Sequence, residues 1–431
     1  MNIGILGGGL TGLTLAANLK HHNFEVLEKE NECGGLCRSF QEDGFTFDYG
    51  GAHIIFSRNR APVDYMLGVL GENCIQGRRN NKIYFKGRYV KYPFENGLAD
   101  LPKEENFECL YHYLMNNYPP PVNFKEWLYF TFGKGIAEKY LVPYNEKIWN
   151  YRTDLMSLHW MVGRVPKPPM EDVIKSAIGI ETEGYQHQLY FYYPREGGIQ
   201  ALTKGLERKI PAGLISTDFR VMRLKKEKAG WTVYGAAGGK FFDLVVSTIP
   251  VFSLAEALGE LPAEVAGALA GLRYNSLITV MIGLDTDALP DYTALYYPDH
   301  DFKPNRVSFP KVFSPHNVPP GKSSLVAEIT ANRGDATWEM TDEALLNHVA
   351  SGLARMGVIS LKDICFSKVR FSPYAYVVYD LDYLRNVALV RDYFDELGLI
   401  LCGRFAEFEY FNMDACVERA LALAHKLNQV K

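Results

Sequence analysis

Met1-Asn-Ile-Gly-Ile-Leu-Gly-Gly-Gly-Leu-Thr-Gly12 opens the chain and decides how the rest is read. Ile3, Ile5 and Leu6 make a short apolar run of the kind a buried strand needs, and Leu13-Thr-Leu-Ala-Ala-Asn-Leu19 follows with helix-like composition. Between them Gly7, Gly9 and Gly12 spell G-x-G-x-x-G. The first glycine permits a tight turn, the second lets backbone approach a pyrophosphate, and the third lets helix pack closely on strand. A helix start at this point offers unpaired N–H groups and a partial positive charge to phosphates. A second apolar run, Phe24-Glu-Val-Leu-Glu28, ends in an acid about 20 residues after the first glycine, where a ribose 2′-hydroxyl needs an acceptor. The combination predicts a dinucleotide site on an α/β fold.

The 431 residues imply two or three lobes with ample buried volume. A formal net charge of −4 argues against nucleic acid as a partner, so an anionic substrate needs a local cationic cluster. Seven scattered cysteines contain no CxxC pair, and Cys33 and Cys37 have no partner pair at zinc spacing. No metal is expected, and reduced thiols point to the cytoplasm. The apolar start lacks a basic n-region and is interrupted by its glycines, unlike a signal peptide. No apolar run reaches the length of a membrane span, so a soluble protein is expected. The aromatic share of 13%, with 27 tyrosines, falls in patches such as Tyr190–Tyr193 and Tyr374–Tyr383. Such patches suit strands that pack a sheet, and also a pocket that offers apolar area and hydroxyls together.

Along the chain, Lys82–Val90 reads as a hairpin around Lys86-Gly87, closing on Tyr92-Pro-Phe94. Residues 100–185 carry helical patterns broken by Pro119–Pro121 and by Pro166, Pro168 and Pro169. From Asp218 a strand meander is expected: Arg220–Lys226, Gly230–Gly235 and Phe241–Thr248. Residues 273–284, 322–331 and 366–378 read as strands and 341–356 as a helix. Leu399–Cys402, the turn Gly403-Arg404 and a final helix from Asp414 to Asn428 repeat the opening strand–turn–helix logic. The expected organisation is a discontinuous Rossmann-type dinucleotide-binding domain (1–90, 190–260 and 385–431), a helical insert (91–189) and an antiparallel-sheet substrate domain (261–384).

Three further motifs narrow the ligand. Cys33-Gly-Gly-Leu-Cys-Arg-Ser39 follows Glu28-Lys29 and lets backbone approach a second part of a cofactor. Phe45-Thr-Phe-Asp-Tyr-Gly-Gly-Ala-His53 comes next, and Gly403-Arg-Phe-Ala-Glu-Phe-Glu-Tyr-Phe-Asn-Met-Asp414 lies near the end. These resemble the FAD superfamily that includes amine oxidases, protoporphyrinogen oxidase and UDP-galactopyranose mutase. NAD needs neither the Gly-Gly segment nor the C-terminal return. Within the superfamily the chain most resembles UDP-galactopyranose mutases, mainly their eukaryotic-type branch. The matching segments are Gly51–Ser57, Tyr89–Phe94, Pro143–Trp149, Val162-Gly-Arg-Val165, Phe191–Gly198 and the terminal Gly-Arg…Tyr-x-Asn-Met-Asp, in order along most of the chain.

The resemblance implies a mutase that contracts the galactopyranose ring, with N5 of reduced FAD as nucleophile and a nucleotide sugar as substrate. It implies FAD contacts at Gly7, Gly9, Leu10, Thr11, Gly12, Glu28, Lys29, Gly34, Gly35, Leu36, Val221, Gly403, Arg404, Asn412 and Met413. Arg164 matches a diphosphate arginine, and Arg306 a second one in a looser alignment. Tyr274 and Tyr410 match phosphate-contacting tyrosines, Tyr374 or Tyr376 supplies another, and His53 lies beside the flavin. Tyr92, Phe94, Asn145 and Trp149 resemble the uridine side. Core packing is the alternative for Tyr274 and Trp149, an ordinary ion pair for Arg164. NAD(P)H as the reductant has no second G-x-G-x-x-G and would dock in the same cleft. Three departures weigh against the mutase. Asp285 and Asp287 stand where the family carries an arginine and would repel a diphosphate, Glu95 replaces an amide, and Ala52 is inserted before His53. An FAD-dependent oxidase or dehydrogenase is the alternative activity, and a catalytically silent FAD-binding protein a third. Oligomeric state is not written in the sequence.

Overall fold

The computed structural model describes residues 1–161, 167–184 and 189–430. Asn2–Leu6 is the middle strand of a five-stranded parallel sheet ordered Leu399–Leu401, Leu244–Ser247, Asn2–Leu6, Asn23–Leu27, Ile215–Ser216. Buried on both faces, its central strands consist of apolar runs, and Ile3, Ile5, Val245 and Val246 have no exposed surface. Helix Leu10–Ala16 packs against the final helix, Met413–Asn428, so chain start and chain end close one core.

The glycines of the opening have separate physical tasks. Gly7 has φ of +101°, a conformation that L side chains rarely adopt. A Cβ on Gly12 would lie 2.0 Å from the Gly7 carbonyl oxygen, so the helix can approach the strand only without one. Thr248, just past the neighbouring strand, donates its hydroxyl to the Leu6 carbonyl at 2.8 Å and locks the turn from below.

A second sheet has seven strands in the order Ile364–Val378, Arg273–Leu284, Ser323–Ala331, Arg306–Ser308, Ala294–Tyr296, Asn81–Phe85, Arg88–Lys91. Every pairing is antiparallel except that between Ala294–Tyr296 and Asn81–Phe85. The hairpin 81–91, grouped by sequence with the opening segment, therefore hydrogen-bonds into the large sheet. Phe241–Thr248, read as one strand, is two. Gly238–Phe242 closes a three-stranded antiparallel sheet, and after Asp243 the chain enters the parallel sheet at Leu244. The side chain of Asp243 makes the break by accepting the Asn2 N–H at 2.7 Å.

Strand periodicity decides what the large sheet presents on each side. Ile278, Val280, Leu295, Val307, Ala327 and Ile329 point one way, onto the core beneath helix Asp342–Arg355. Thr279, Tyr296, Arg306 and Glu328 alternate with them and face the opposite side, where the turn Gly50–His53 arrives. Helix Val142–Trp149 packs on strand Ser323–Ala331 and brings Tyr144 against Tyr296 on this side, while helices Lys103–Leu114 and Phe124–Ile136 pack against each other. Among the described residues no helix is long and apolar enough to cross a membrane.

The close approach at Gly12 makes a direct prediction. Gly12→Ala overpacks a backbone contact and should cost about 1–3 kcal/mol of stability. The urea midpoint should fall accordingly, and an unchanged midpoint would contradict this packing.

Candidate functional site

The phosphate-side cradle is built from main chain. Helix Leu10–Ala16 starts at Gly9 with no side-chain cap and no acid in its first turn, leaving its first N–H groups for another acceptor. Helix Met413–Asn428 also starts without a side-chain cap, at Asn412. The two first turns meet where Thr11 hydrogen-bonds with Cys416, and Gly403 lies so close that a Cβ on it would stand 2.6 Å from Thr11 Oγ1. Gly34 donates its N–H to the Gly8 carbonyl at 2.9 Å, which sets Gly34 and Gly35 against Gly9. An added Cβ on Gly9 would find only the Gly35 Cα, at 3.9 Å. That glycine-floored gap fits a pyrophosphate.

Glu28 is buried and accepts the N–H groups of Gly8 at 2.7 Å and Glu30 at 3.0 Å. Each carboxylate oxygen keeps a second lone pair for a ribose hydroxyl. Phe219 donates its N–H to the Glu28 carbonyl and Asp218 to that of Glu30, which brings Val221 alongside. Lys29 pairs with Glu30 at 3.3 Å on the surface. The Leu36 carbonyl packs against Gly50, joining this cradle to the turn before His53.

On the far side of that turn lies a buried ion pair. Arg306 donates Nε to Glu328 Oε1 at 2.9 Å and Nη2 to Oε2 at 2.7 Å, and Glu328 has no exposed surface. Glu328 Oε1 also accepts the N–H of Ala52 at 3.2 Å, so the inserted residue has a partner. Gly51, at φ +97°, passes beside the same carboxylate. His53 Nδ1 donates to the Gly51 carbonyl at 2.7 Å, which leaves Nε2 as the free acceptor. Burial, the largest cause, lowers the His53 pKa to about 4, so the ring is neutral near pH 7.

Tyrosines surround this pair. Tyr92 stacks on Tyr296 at 4.8 Å, Tyr296 meets Tyr144 edge-on at 5.6 Å, and Tyr144 stacks on Tyr140 at 5.1 Å. Tyr376, Tyr410 and Trp149 form a second group, with Tyr410 5.5 Å from Trp149 and 6.0 Å from Tyr376. Arg404 lies over the Tyr410 ring at 4.5 Å, and its guanidinium donates to the carbonyls of Ala375 and Phe411. Tyr376 thus joins the site group, whereas Tyr374 packs with Tyr274, Phe252 and Phe405.

One expected residue is placed differently. Phe94 has no exposed surface and lies between Phe85 and Tyr140, inside the core. The Trp149 indole N–H donates to Asn145 Oδ1 at 3.2 Å, and Asn145 donates to the Leu141 carbonyl, so these two brace one helix. Arg164 lies outside the described residues. Asp285 and Asp287 pair with Lys322 and Lys311. Asp285 is six residues along the strand from Thr279, the residue in register with Glu328, or about 20 Å. That exceeds the screening length in salt, so repulsion of an anion at Arg306 is negligible.

The sequence reading missed Arg79, Tyr144, Tyr296 and Glu328. Arg79 lies over Phe56 at 4.1 Å, within electrostatic reach of Tyr92, Tyr296 and Arg306, and burial lowers its pKa. Glu328 was detectable as the one acid in the otherwise uncharged Ser323–Ala331 run; Arg79 gave no signal, because only the fold aims it inward.

The flavin-containing amine oxidoreductase model matches residues 10–427. The chain belongs to that family. Its fold is shared with reduced UDP-galactopyranose mutase at a TM-score of 0.91, covering 100% of this chain and 96% of that one at 23% identity. A putrescine oxidase variant redesigned for cofactor binding aligns at 0.69 and 16% identity, covering 99% and 98%. A 4,4'-diapophytoene desaturase of Staphylococcus aureus is 36% identical over 86 residues, 20% of this chain and 17% of the desaturase. This member of the flavin family is therefore mutase-like in fold over its whole length, and the desaturase likeness spans under a fifth of that enzyme.

Glu95 gives a pH test. It is buried, and desolvation, the dominant cause, raises its pKa from the usual 4.5 to about 7. Between those values the folded state holds a proton that the unfolded chain has released, so stability falls as pH rises through the window. The penalty at pH 8 is about 3 kcal/mol at most. Glu95→Gln should melt higher than wild type at pH 8 and equally at pH 4.5; an equal gain at both would exclude this origin.

Proposed function

We propose that this protein is an FAD-dependent sugar-nucleotide mutase of the UDP-galactopyranose type. The observation that carries the reading is the cluster beside the turn Gly50–His53, where Arg79 stands within electrostatic reach of Arg306, Tyr92 and Tyr296, and Arg306 within reach of Glu328, Tyr376 and Tyr296. Guanidinium groups beside tyrosine hydroxyls are the chemistry that binds a diphosphate, through paired, charge-assisted hydrogen bonds.

FAD fits the main-chain cradle of Gly7, Gly9, Leu10, Thr11, Gly12, Gly34, Gly35, Gly403, Asn412 and Met413, with Glu28 at a ribose. Bound and reduced, it supplies a nucleophilic N5 for the anomeric carbon, with UDP as leaving group. The chain's residues have other tasks. Arg306, Arg79 and Arg164 balance the diphosphate, and the hydroxyls of Tyr376 and Tyr410 bond its oxygens. Glu328 holds Arg306 in one rotamer against the turn that carries His53. His53, neutral and fixed through Nδ1, presents an acceptor beside the ring without adding charge. Tyr92 and Tyr296 offer stacked faces to the uridine, and the packed tyrosines exclude water, which strengthens each polar contact. Glu95 near its pKa at neutral pH is partly protonated. A protonated carboxyl has one donor and one acceptor edge, as an amide has, which reconciles the departure at this position. NAD(P)H docking in the same cleft is the proposed source of electrons.

Protein reduced under anaerobic conditions and incubated with UDP-galactopyranose should form the furanose isomer, separable by chromatography. Arg79→Ala should lower kcat/KM at least ~10-fold, the value of one charge-assisted bond. Absence of furanose product, together with amine-dependent flavin bleaching and reoxidation by oxygen, would establish the oxidase reading instead.

A further inference from the structure

The proposed function gives Tyr410, on the turn Gly403–Asn412, a role at the diphosphate, and this inference rests on that reading. The turn is an improbable piece of backbone. Phe408 has φ of +51°, in the left-handed region that a bulky L residue avoids, so surrounding bonds must hold it. Arg391, on helix Tyr383–Glu396, donates Nε to the Glu407 carbonyl at 2.7 Å and Nη2 to Glu409 Oε1 at 3.0 Å. Tyr383 donates its hydroxyl to the Phe408 carbonyl at 2.6 Å. Tyr379 donates its hydroxyl to Glu409 Oε2 at 2.8 Å, and the Tyr410 N–H donates to that same hydroxyl oxygen at 2.6 Å.

We infer that Glu409 is a positioning residue for Tyr410, acting through the hydroxyl of Tyr379. A tyrosine hydroxyl has one proton. With Glu409 accepting that proton, the lone pair is turned toward the Tyr410 N–H, and the main chain at 410 is fixed. Arg391 holds the other carboxylate oxygen and thereby sets the orientation. Glu409 itself does not touch the proposed substrate.

Glutamine at 409 has the same shape and the wrong bonding pattern. With its oxygen toward Tyr379, its NH2 faces the guanidinium of Arg391. With its oxygen toward Arg391, its NH2 faces Tyr379, whose proton must then turn toward the Tyr410 N–H. Either orientation loses a bond of the relay.

The test uses the full-length, flavin-loaded protein and two readouts. In hydrogen exchange, the peptide that contains Tyr410 should exchange at least ~10-fold faster in Glu409→Gln and in Tyr379→Phe, with peptides of residues 1–30 unchanged and flavin content equal to wild type. In UDP titrations followed by flavin absorbance, each variant should bind UDP several-fold more weakly. The double variant should be no weaker than either single one, since one relay can be broken only once. Unchanged exchange at Tyr410, or losses that multiply in the double variant, would overturn the inference. So would faster exchange with wild-type UDP affinity. A wild-type flavin that ignores UDP contradicts the proposed function, while the exchange readout still decides whether Glu409 positions Tyr410.

Discussion

Everything on the inner side of the large sheet is arranged around one buried charge pair, Arg306 with Glu328. A carboxylate with no exposed surface is sustainable only when every oxygen has a donor, and here the donors are a guanidinium fork and the Ala52 N–H. Breaking such a pair costs about 3–5 kcal/mol, so the strand pairing that opposes residues 306 and 328 is tied to the turn at residues 50–53. The pair therefore ties the large sheet to the turn that leads back to the cradle. It also holds the Arg306 guanidinium, balanced by Glu328, in one orientation near the dinucleotide cradle.

The sheet places this charge by simple alternation. One face of strands 273–284, 306–308 and 323–331 is spent on the core beneath helix Asp342–Arg355, and the residues between are left for the cavity. On the opposite side Tyr140, Tyr144, Tyr92 and Tyr296 pack ring against ring. Apolar area and hydroxyls arrive together in these rings.

The parallel sheet and its cradle were legible in the sequence because glycine positions are dictated by hard contacts. A Cβ at residue 12 has nowhere to go, and a Cβ at residue 7 would need a disfavoured φ. The strands 273–284 and 323–331 were legible for a similar reason, since a two-sided sheet imposes a period of two. Residues brought together by topology were harder to read. Arg79 reaches the cavity only because the hairpin 81–91 joins the large sheet across Ala294–Tyr296. The acids 285 and 287 read as hostile to a diphosphate because a resemblance gives sequence position and not distance. Phe94 read as a stacking surface because its motif is aromatic, yet its neighbours Phe85 and Tyr140 take it into the core.

In the proposed reaction a bond at the anomeric carbon of a nucleotide sugar breaks. Oxygen-18 placed in the bridging position of UDP-galactopyranose tests it most directly, because reversible cleavage lets the label rotate into the non-bridging positions of the β-side phosphate. Scrambling of the label with the reduced protein, and none with the oxidised protein, is the predicted result. A label that stays in the bridge while UDP-galactopyranose is bound would contradict the account.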